Sequence, residues 1–252
     1  MDLQLKGRPA LVTGASRGIG RGAAKILAAE GCKVAICARR KELLEEVAAE
    51  IEADGHDRPL IINEDVLPLD APEKISAQVI DAFGGCDILV NSAGGSRTVP
   101  WDSGDDVWDE GMTLNFEAIR RLSMALVHQM REQKYGRIIN ITGSSEPKGV
   151  NVANAAKAAL HVWSKGMSRT LGRDGITVNC LPPGRIMSEQ IVERVHPDPQ
   201  ERAAFADTHI PAGYFGEPED MGHLIAFLAS PLARYINGEI IHVDGGLRRF
   251  AF

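Results

Sequence analysis

The sequence predicts an α/β protein with one domain spanning residues 1–252, in which a doubly wound parallel sheet of seven strands has helices on both faces. Short β-rich runs alternate with longer helical patterns along almost the whole chain, which is the arrangement of successive βαβ units. No linker rich in Pro, Gly or Ser interrupts the 252 residues, and a chain of this length buries enough surface for one large core.

The elements follow one another in regular order. Strands are predicted at 10–13, 33–38, 60–63, 87–91, 137–142, 177–181 and 239–243. Helices are predicted to begin near Gly18, Lys41, Pro72, Asp105, Val150, Ser188 and Pro218. Several of these helices begin with Pro, Ser or Asp and are followed by Gly, which are residues favoured at helix ends.

Charge and composition exclude several classes of protein. The formal net charge is -6 and the basic residues are scattered, so the chain has no basic patch for nucleic acid or anionic lipid. No run of 18 apolar residues could span a bilayer, and the N-terminal residues contain no apolar signal segment. The 4 cysteines form no C-x-x-C pair and favour free thiols, so we expect a cytoplasmic protein. The 7 histidines show no metal-ligand spacing, and no metal site is predicted.

The segment 185–216 breaks the regular alternation. It contains Pro197, Pro199 and Pro211 and follows the sixth predicted strand directly. Ligands of open α/β sheets bind outside the carboxyl ends of the strands, so this segment is placed to act as a lid over a substrate. The alternative is a pair of helices that only caps the sheet.

A glycine-rich loop, TGASRGIG at 13–20, follows the first strand and opens the first helix. Glycines in such a loop allow a tight turn, the approach of backbone to a pyrophosphate and close packing of the helix on the sheet, while the helix N-terminus faces the anion. The loop therefore predicts a dinucleotide site rather than an ordinary strand-to-helix turn. Its predicted cofactor contacts are Gly14, Ser16, Arg17, Gly18, Ile19 and Gly20.

The second predicted strand ends in Ala38-Arg39-Arg40, without the acidic residue that would bind the ribose 2′-hydroxyl of NAD. A guanidinium at that place suits a 2′-phosphate, and Arg17 offers a second cation on the same side. We therefore predict NADP(H) as the cofactor, with Arg39 at its 2′-phosphate. The alternative is that these arginines are only solvated helix starts.

Further motifs occur in a fixed order along the chain. They are TGASRGIG (13–20), Asp65-Val66, Asn91-Ser92-Ala93-Gly94, Asn115, Ala156-Lys157-Ala158-Ala159-Leu160, Asn179-Cys180-Leu181-Pro182-Pro183-Gly184 and Val243-Asp244-Gly245-Gly246. With these motifs the chain resembles the classical short-chain dehydrogenase/reductase family over essentially its whole length. The spacing is most similar to the 3-oxoacyl-carrier-protein reductase branch.

The resemblance implies a Rossmann fold and cofactor contacts beyond the glycine loop. It places Asp65 and Val66 beside the adenine. The cofactor ribose would be lined by Asn91, Ala93 and Gly94.

The same resemblance implies how the nicotinamide end is held. Ile186, which follows Pro183 and Gly184, would lie near the carboxamide. Lys157 would hydrogen-bond the nicotinamide ribose, and Asn115 would steady a water chain to that lysine. The alternatives are a surface lysine and an ordinary buried polar residue.

The residue at the position of the family's catalytic tyrosine differs from the family pattern. The family moves hydride between the nicotinamide and a carbonyl or alcohol carbon, and its tyrosine, four residues before the lysine, acts as general acid or base. Counting back from Lys157 reaches Ala153, whose methyl group cannot move a proton. The tyrosines of the chain are Tyr135, Tyr214 and Tyr235, and none lies in this helix.

The family's catalytic serine also falls at an altered place. Strict alignment puts Gly143 there, with Ser144 one residue further on, and the loop to position 153 is shorter than in the family. Ser144 could shift into place and donate a hydrogen bond to a carbonyl oxygen. The alternative is a solvated loop serine.

Several groups could replace the missing proton donor. Glu146 follows the serines and could reach the gap at Ala153, although a solvated carboxylate is the plainer interpretation. His209 and Tyr214 on the segment 185–216 are weaker candidates, and a water held by Lys157 and Asn115 is a further one.

The sequence thus predicts an NADP(H)-dependent oxidoreductase with an atypical active site that acts on a small or medium carbonyl compound or alcohol. The alternative is a non-catalytic dinucleotide-binding sensor or an inactive partner subunit of the same fold. The resemblance implies a homotetramer or homodimer formed through the helices that begin near Asp105 and Val150.

Overall fold

In the computed structural model, which describes residues 1–96, 99–143, 146 and 149–250, six parallel strands form the sheet. They are β1 Pro9–Thr13, β2 Lys33–Cys37, β3 Leu60–Ile62, β4 Ile88–Asn91, β5 Gly136–Ile141 and β6 Ile176–Leu181. The strand order is β3-β2-β1-β4-β5-β6. The order reverses direction between β1 and β4, and such a switch point opens a crevice at the carboxyl ends of the strands.

The predicted seventh strand at 239–243 was wrong. This segment runs beside β6 but forms only isolated bridges, the first between Cys180 and Ile240. The N–H of Ile241 donates to the carbonyl of Cys180 over 2.9 Å. In a regular ladder the next N–H from the β6 side would come from residue 182. This residue is Pro182, which has no N–H, so the ladder is interrupted there.

Helices cover both faces of the sheet, as predicted. They are α1 Gly18–Ala29, α2 Lys41–Ala53, α3 Ala71–Phe83, α4 Asp105–Met112, α5 Ala118–Glu132, α6 Val152–Leu171, α7 Pro199–His209 and α8 Pro218–Ala229. One apolar core contains Leu27, Leu44 and Ile225, from α1, α2 and α8. A second core contains Ile75 of α3 and Leu126 of α5 on the other face. No helix in the described ranges is both long enough and apolar enough to cross a membrane.

Two local departures from regular helix lie near the crevice. A π-helical turn at Thr113–Glu117 joins α4 to α5, and such turns are frequent at functional sites. In the segment 185–216, a second π-helical turn at Ile191–Val195 precedes α7. Pro197 and Pro199 lie between this π-helical turn and the body of α7. Proline has no N–H for the helical hydrogen bond, so the helix cannot run on through this point.

Candidate active site

The carboxyl ends of the central strands open into one large cavity of about 1270 Å³. Its walls come from the ends of β4 and β5, the start of α6, the segment 185–216 and the C-terminal residues 242–250. Most of the motifs found in the sequence therefore meet at this single place, which is where ligands of open α/β sheets bind.

The glycine loop closes tightly against the end of β4. Gly14 has a φ of +65°, and a Cβ there would lie 2.8 Å from the backbone nitrogen of Ala93. A Cβ at Gly20 would collide with the carbonyl of Gly14. Thr13 fixes the same junction, because its Oγ1 accepts the N–H of Ala93 over 3.1 Å. The loop thus leaves bare backbone at the start of α1, where N–H groups can bind an anion.

Other predicted residues of this loop lie at the N-terminus of α1. Gly18 has a φ of +52°, which favours glycine, and is the first residue of the helix. Ser16 is half-buried and Arg17 is exposed. Ile19 lines the cavity.

Three arginines lie beside the end of β2 and contact carboxylates there. The side chain of Arg39 is 73% exposed and its Nη1 lies 3.9 Å from Oδ2 of Asp65. Arg17 and Arg40 both contact Glu189, whose Oε2 lies 3.0 Å from Arg17 Nε and 3.3 Å from Arg40 Nη2. A carboxylate of the segment 185–216 therefore already occupies one side of this cationic cluster.

The predicted adenine and ribose residues lie in different surroundings. Val66 packs against the second apolar core, and Oδ1 of Asp65 accepts the N–H of Leu67. The amide of Asn91 is buried and donates to Ser123 Oγ over 3.1 Å and to Asn140 Oδ1 over 2.8 Å. The side chain of Asn91 therefore stabilises the end of β4 from inside.

Lys157 and Asn115 converge on Gly94. The ammonium of Lys157 donates to the carbonyl of Ile141 over 2.8 Å. Oδ1 of Asn115, in the first π-helical turn, accepts the N–H of Gly95 over 3.2 Å. A Cβ at Gly94 would lie 3.1 Å from Asn115 Oδ1 and 3.3 Å from Lys157 Nζ. Burial lowers the pKa of Lys157 to about 8, because it disfavours the charged form.

The turn after β6 forms the floor of the cavity. Its lining residues include Pro183, Gly184 and Ile186. A Cβ at Gly184 would lie 2.5 Å from Cα of Asp244, so only glycine allows this close approach.

Ala153 presents only a methyl group where a proton donor is expected. It lies one turn before Lys157 on α6 and lines the cavity. Its N–H donates to Oδ1 of Asn151, the N-cap of α6, over 2.9 Å. Tyr135 cannot substitute, since its hydroxyl donates to the carbonyl of Ala229, at the amino-terminal end of β5. Ser144 lies outside the described residues.

Glu146 lines the cavity and binds the C-terminal segment. Its Oε1 accepts the N–H of Arg249 over 3.1 Å and that of Phe250 over 3.2 Å. The same oxygen lies 4.0 Å from Arg248 Nε. The carboxylate therefore acts as an acceptor in this arrangement.

The segment 185–216 is anchored over the cavity by its own apolar cluster. Ile191, Ile210 and Phe215 are buried there, and Leu247 of the C-terminal segment packs against them. His209 faces the main cavity, whereas Tyr214 lines a second pocket of about 280 Å³.

Among the lining residues that sequence reasoning missed are three with buried polar nitrogens. Arg185 follows the Pro183-Gly184 turn, and His242 and Arg248 flank the Val243-Asp244-Gly245-Gly246 motif. The sequence feature that could have indicated them is their position within two residues of a motif. Nothing local to the sequence indicates that they share one cavity.

A parallel sheet with a glycine-rich loop at its switch point is the arrangement of a dinucleotide-binding protein. Residues 14–248 match the family model described as enoyl-(acyl carrier protein) reductase. The chain belongs to the short-chain dehydrogenase/reductase family, a family of oxidoreductases.

Individual relatives agree with this assignment. The chain is 36% identical to the 3-oxoacyl-[acyl-carrier-protein] reductases of Vibrio cholerae and Escherichia coli K12, and each alignment covers 97% of this chain and 99% of the relative. The structure of L-sorbose reductase from Gluconobacter frateurii, complexed with NADPH and L-sorbose, matches with a TM-score of 0.91 and 30% identity, covering 99% of this chain and 100% of that one. A gluconate dehydrogenase assigned in Agrobacterium tumefaciens matches with a TM-score of 0.90 and 27% identity, covering 98% of each chain.

Proposed function

We propose that this chain is an NADP(H)-dependent oxidoreductase that interconverts a small or medium carbonyl compound and its alcohol. The convergence of Lys157 Nζ and Asn115 Oδ1 on Gly94, at the wall of the cavity, carries this proposal. A buried ammonium beside bare backbone is suited to bind ribose hydroxyl groups. Burial of an ammonium is costly unless it is hydrogen-bonded, and among the described residues Lys157 donates only to Ile141.

The glycine-rich loop at 13–20 fits a dinucleotide. A Cβ at Gly14 would strike the backbone of Ser92 and Ala93 just after β4, and glycine at 14, 18 and 20 keeps the N-terminus of α1 open to a pyrophosphate. When bound, NADPH supplies the hydride. The residues that would hold it are Gly14, Ser16, Arg17, Gly18, Ile19, Gly20, Arg39, Asp65, Val66, Asn91, Ala93, Gly94, Lys157, Pro183, Gly184 and Ile186.

The cationic cluster supports NADP(H) rather than NAD(H). Arg39 is exposed and its distance of 3.9 Å to Asp65 leaves the guanidinium available for a 2′-phosphate. Arg17 can contact the same phosphate once the phosphate replaces Glu189 as its partner. NADPH binding by the similar L-sorbose reductase supports the same choice.

Lys157 is the titratable side chain that lies one helical turn from Ala153 on the same face of α6. Reduction of a carbonyl adds hydride to carbon and one proton to oxygen, giving the alcohol and oxidised cofactor. With a pKa of about 8, the Lys157 ammonium can donate a proton near neutral pH through a water beside Ala153 to the carbonyl oxygen. Ser144 remains a candidate donor to the carbonyl oxygen. Glu146 remains a candidate proton donor, a role in which it would have to be protonated and no longer be the acceptor of the Arg249 and Phe250 N–H groups.

The methyl group of Ala153 favours a second candidate function, a dinucleotide sensor or inactive partner subunit. General acid-base catalysis contributes roughly 10² to 10⁴ in rate, so its loss leaves either a slow enzyme or none. In a sensor the same cofactor site serves conformational control.

The assembly and compartment are part of the proposal. Val162 on α6 is 75% exposed, and its neighbour Trp163 packs edge-on against Phe116. This surface supports a homotetramer or homodimer formed through α4, α5 and α6. The cysteines of the described chain are free and buried, which supports a reducing cytoplasm.

Two measurements test the function. NADPH consumption is followed with a panel of aldehydes, ketones and oxo acids, and NADPH binding is measured by calorimetry. Turnover with any of these carbonyls supports the oxidoreductase. Tight binding without turnover on the whole panel supports the sensor, and failure to bind either NADPH or NADH overturns both.

A further inference from the structure

Three side chains around the cavity carry a buried nitrogen without a hydrogen-bond partner. Within the described residues these atoms are Arg185 Nε, His242 Nε2 and Arg248 Nε, and all three side chains line the cavity. An unsatisfied buried donor costs about 1 to 3 kcal/mol, so three around one cavity indicate a missing partner.

All three nitrogens are hydrogen-bond donors. Arginine has no acceptor, so Arg248 Nη1, which lies 3.2 Å from His242 Nδ1, must donate to it. This contact leaves the proton of the neutral imidazole on Nε2. Burial and the charge of Arg248 lower the pKa of His242, which keeps the ring neutral. The partner of this cluster is therefore an acceptor.

The charges around the cavity favour an anion as that acceptor. Of its two carboxylates, Glu146 accepts two backbone N–H groups, and Asp244 accepts those of Gly246 and Arg248. Arg185 makes no ion pair within 4.0 Å in the part of the chain that the structure describes, and its guanidinium lies 5.4 Å above the ring of Phe205.

The number of unneutralised cations favours a single negative charge. Arg248 already lies near Glu146, at 4.0 Å, and Lys157 is placed to hold the cofactor. Arg249 also lines the cavity but is exposed, so among the described lining residues Arg185 is the partly buried arginine without an ion pair within 4.0 Å, and burial lowers the pKa of its guanidinium. A carboxylate carries one charge and matches the planar guanidinium fork, whereas a phosphate monoester carries about 1.5 to 2.

We infer that Arg185, His242 and Arg248 form the binding site for a carboxylate on the substrate, so that the natural substrate is an oxo acid or hydroxy acid. The inference rests on the proposed function for the reacting carbon and on these three residues for the carboxylate. Because the three nitrogens are covered by neighbouring atoms, their side chains turn toward the cavity when the ligand enters.

Binding of unreactive probes tests the site without turnover. Linear carboxylates from butanoate to octanoate are titrated into the full chain by calorimetry, with and without NADP⁺, against the matching primary amides. We expect the best carboxylate to bind at least about tenfold more tightly than its amide, as for a charged hydrogen bond. Equal affinities of acid and amide overturn the inference, as does tighter binding of methyl phosphate than of every carboxylate.

Variants assign the site to its residues. Arg185→Gln and Arg248→Gln should each weaken carboxylate binding about tenfold, and Arg185→Lys should restore part of it. Arg234→Gln, an exposed arginine away from the cavity, is the matched control and should change nothing. NADPH affinity should be unchanged in Arg185→Gln. A tenfold fall in that affinity would assign Arg185 to the cofactor and overturn the inference.

Turnover separates this inference from the proposed function. Oxo acids should be reduced faster than their methyl esters. Reduction of esters at the same rate as acids overturns the carboxylate site and leaves the oxidoreductase intact. Carboxylate binding without reduction of any carbonyl overturns the oxidoreductase and leaves the anion site intact.

Discussion

Oε2 of Glu189 lies 3.0 Å from Nε of Arg17, so a carboxylate from the segment 185–216 is paired with a guanidinium at the start of α1. Arg40 contacts the same oxygen over 3.3 Å. Under the proposed assignment of Arg17 to the 2′-phosphate, the phosphate would compete with Glu189 for this cluster. The proposal therefore predicts that cofactor binding is coupled to the position of this segment.

Glu189→Gln should strengthen NADPH binding by about threefold to tenfold, because the phosphate no longer displaces a carboxylate from a partly exposed ion pair. NADH affinity should change little. Calorimetry with both cofactors measures the effect, and Glu193→Gln, exposed on the same segment, is the control. An equal gain for NADH would show that Glu189 acts on the segment and not on the phosphate.

Arg39→Ala should weaken NADPH binding by roughly tenfold to a hundredfold, the value of a charged hydrogen bond. NADH binding should remain as in the wild type, because the 2′-hydroxyl makes no such contact. Titration of both cofactors into both proteins tests this. If the wild type binds NADPH and NADH equally, the assignment of Arg39 fails.

Ala153→Tyr should raise carbonyl reduction by about 10² to 10⁴, because it places a phenol one helical turn from Lys157. The nearby ammonium lowers the pKa of that phenol, so it can donate a proton near neutral pH. Ala153→Phe fills the same space without the hydroxyl and is the matched control. A Tyr variant that keeps its melting temperature and NADPH affinity yet reduces no carbonyl would favour the sensor.

His161→Gln should make the protein less sensitive to acid. The imidazole contacts Thr142 Oγ1 over 2.8 Å, and burial, with His242 and Lys157 nearby, lowers its pKa from 6.5 to about 4. The unfolded chain therefore binds more protons between these values, and stability is lost as pH falls from 6.5 toward 4.

Urea unfolding at pH 7.5 and pH 5 measures this effect. The wild type should lose about 1 kcal/mol more free energy of unfolding than the variant over that range, after allowance for the partial exposure of the ring. His56→Gln, at a surface turn, controls for general acid effects. Parallel losses in the wild type and His161→Gln would contradict the prediction.

Local patterns predicted much of the fold and the position of the glycine-rich loop. Strand runs and glycine turns depend on neighbours in sequence, and so β1, the loop at 13–20 and α1 were predicted at nearly their observed bounds. The departure from the tyrosine-lysine spacing at Ala153 was equally visible, because four residues fix one helical turn.

The seventh strand shows where such patterns fail. Residues 239–243 have the composition of a strand, but pairing requires donors on β6, and Pro182 lies more than 50 residues earlier in the sequence. A β-rich run predicts extended backbone. It does not predict the partner that turns it into a strand of the sheet.

By itself the sequence determined the α/β class, the glycine-rich loop at 13–20, the arginines after β2 and the alanine four residues before Lys157, because each depends on residues within a few positions of one another. Only the tertiary structure decided that Glu189 pairs with Arg17, and that Arg185, His242 and Arg248 line one cavity. These relationships join distant segments through the crossing of strands and the return of the C-terminal segment. Their energies come from burial and charge at the meeting point, and no local period in the sequence records them.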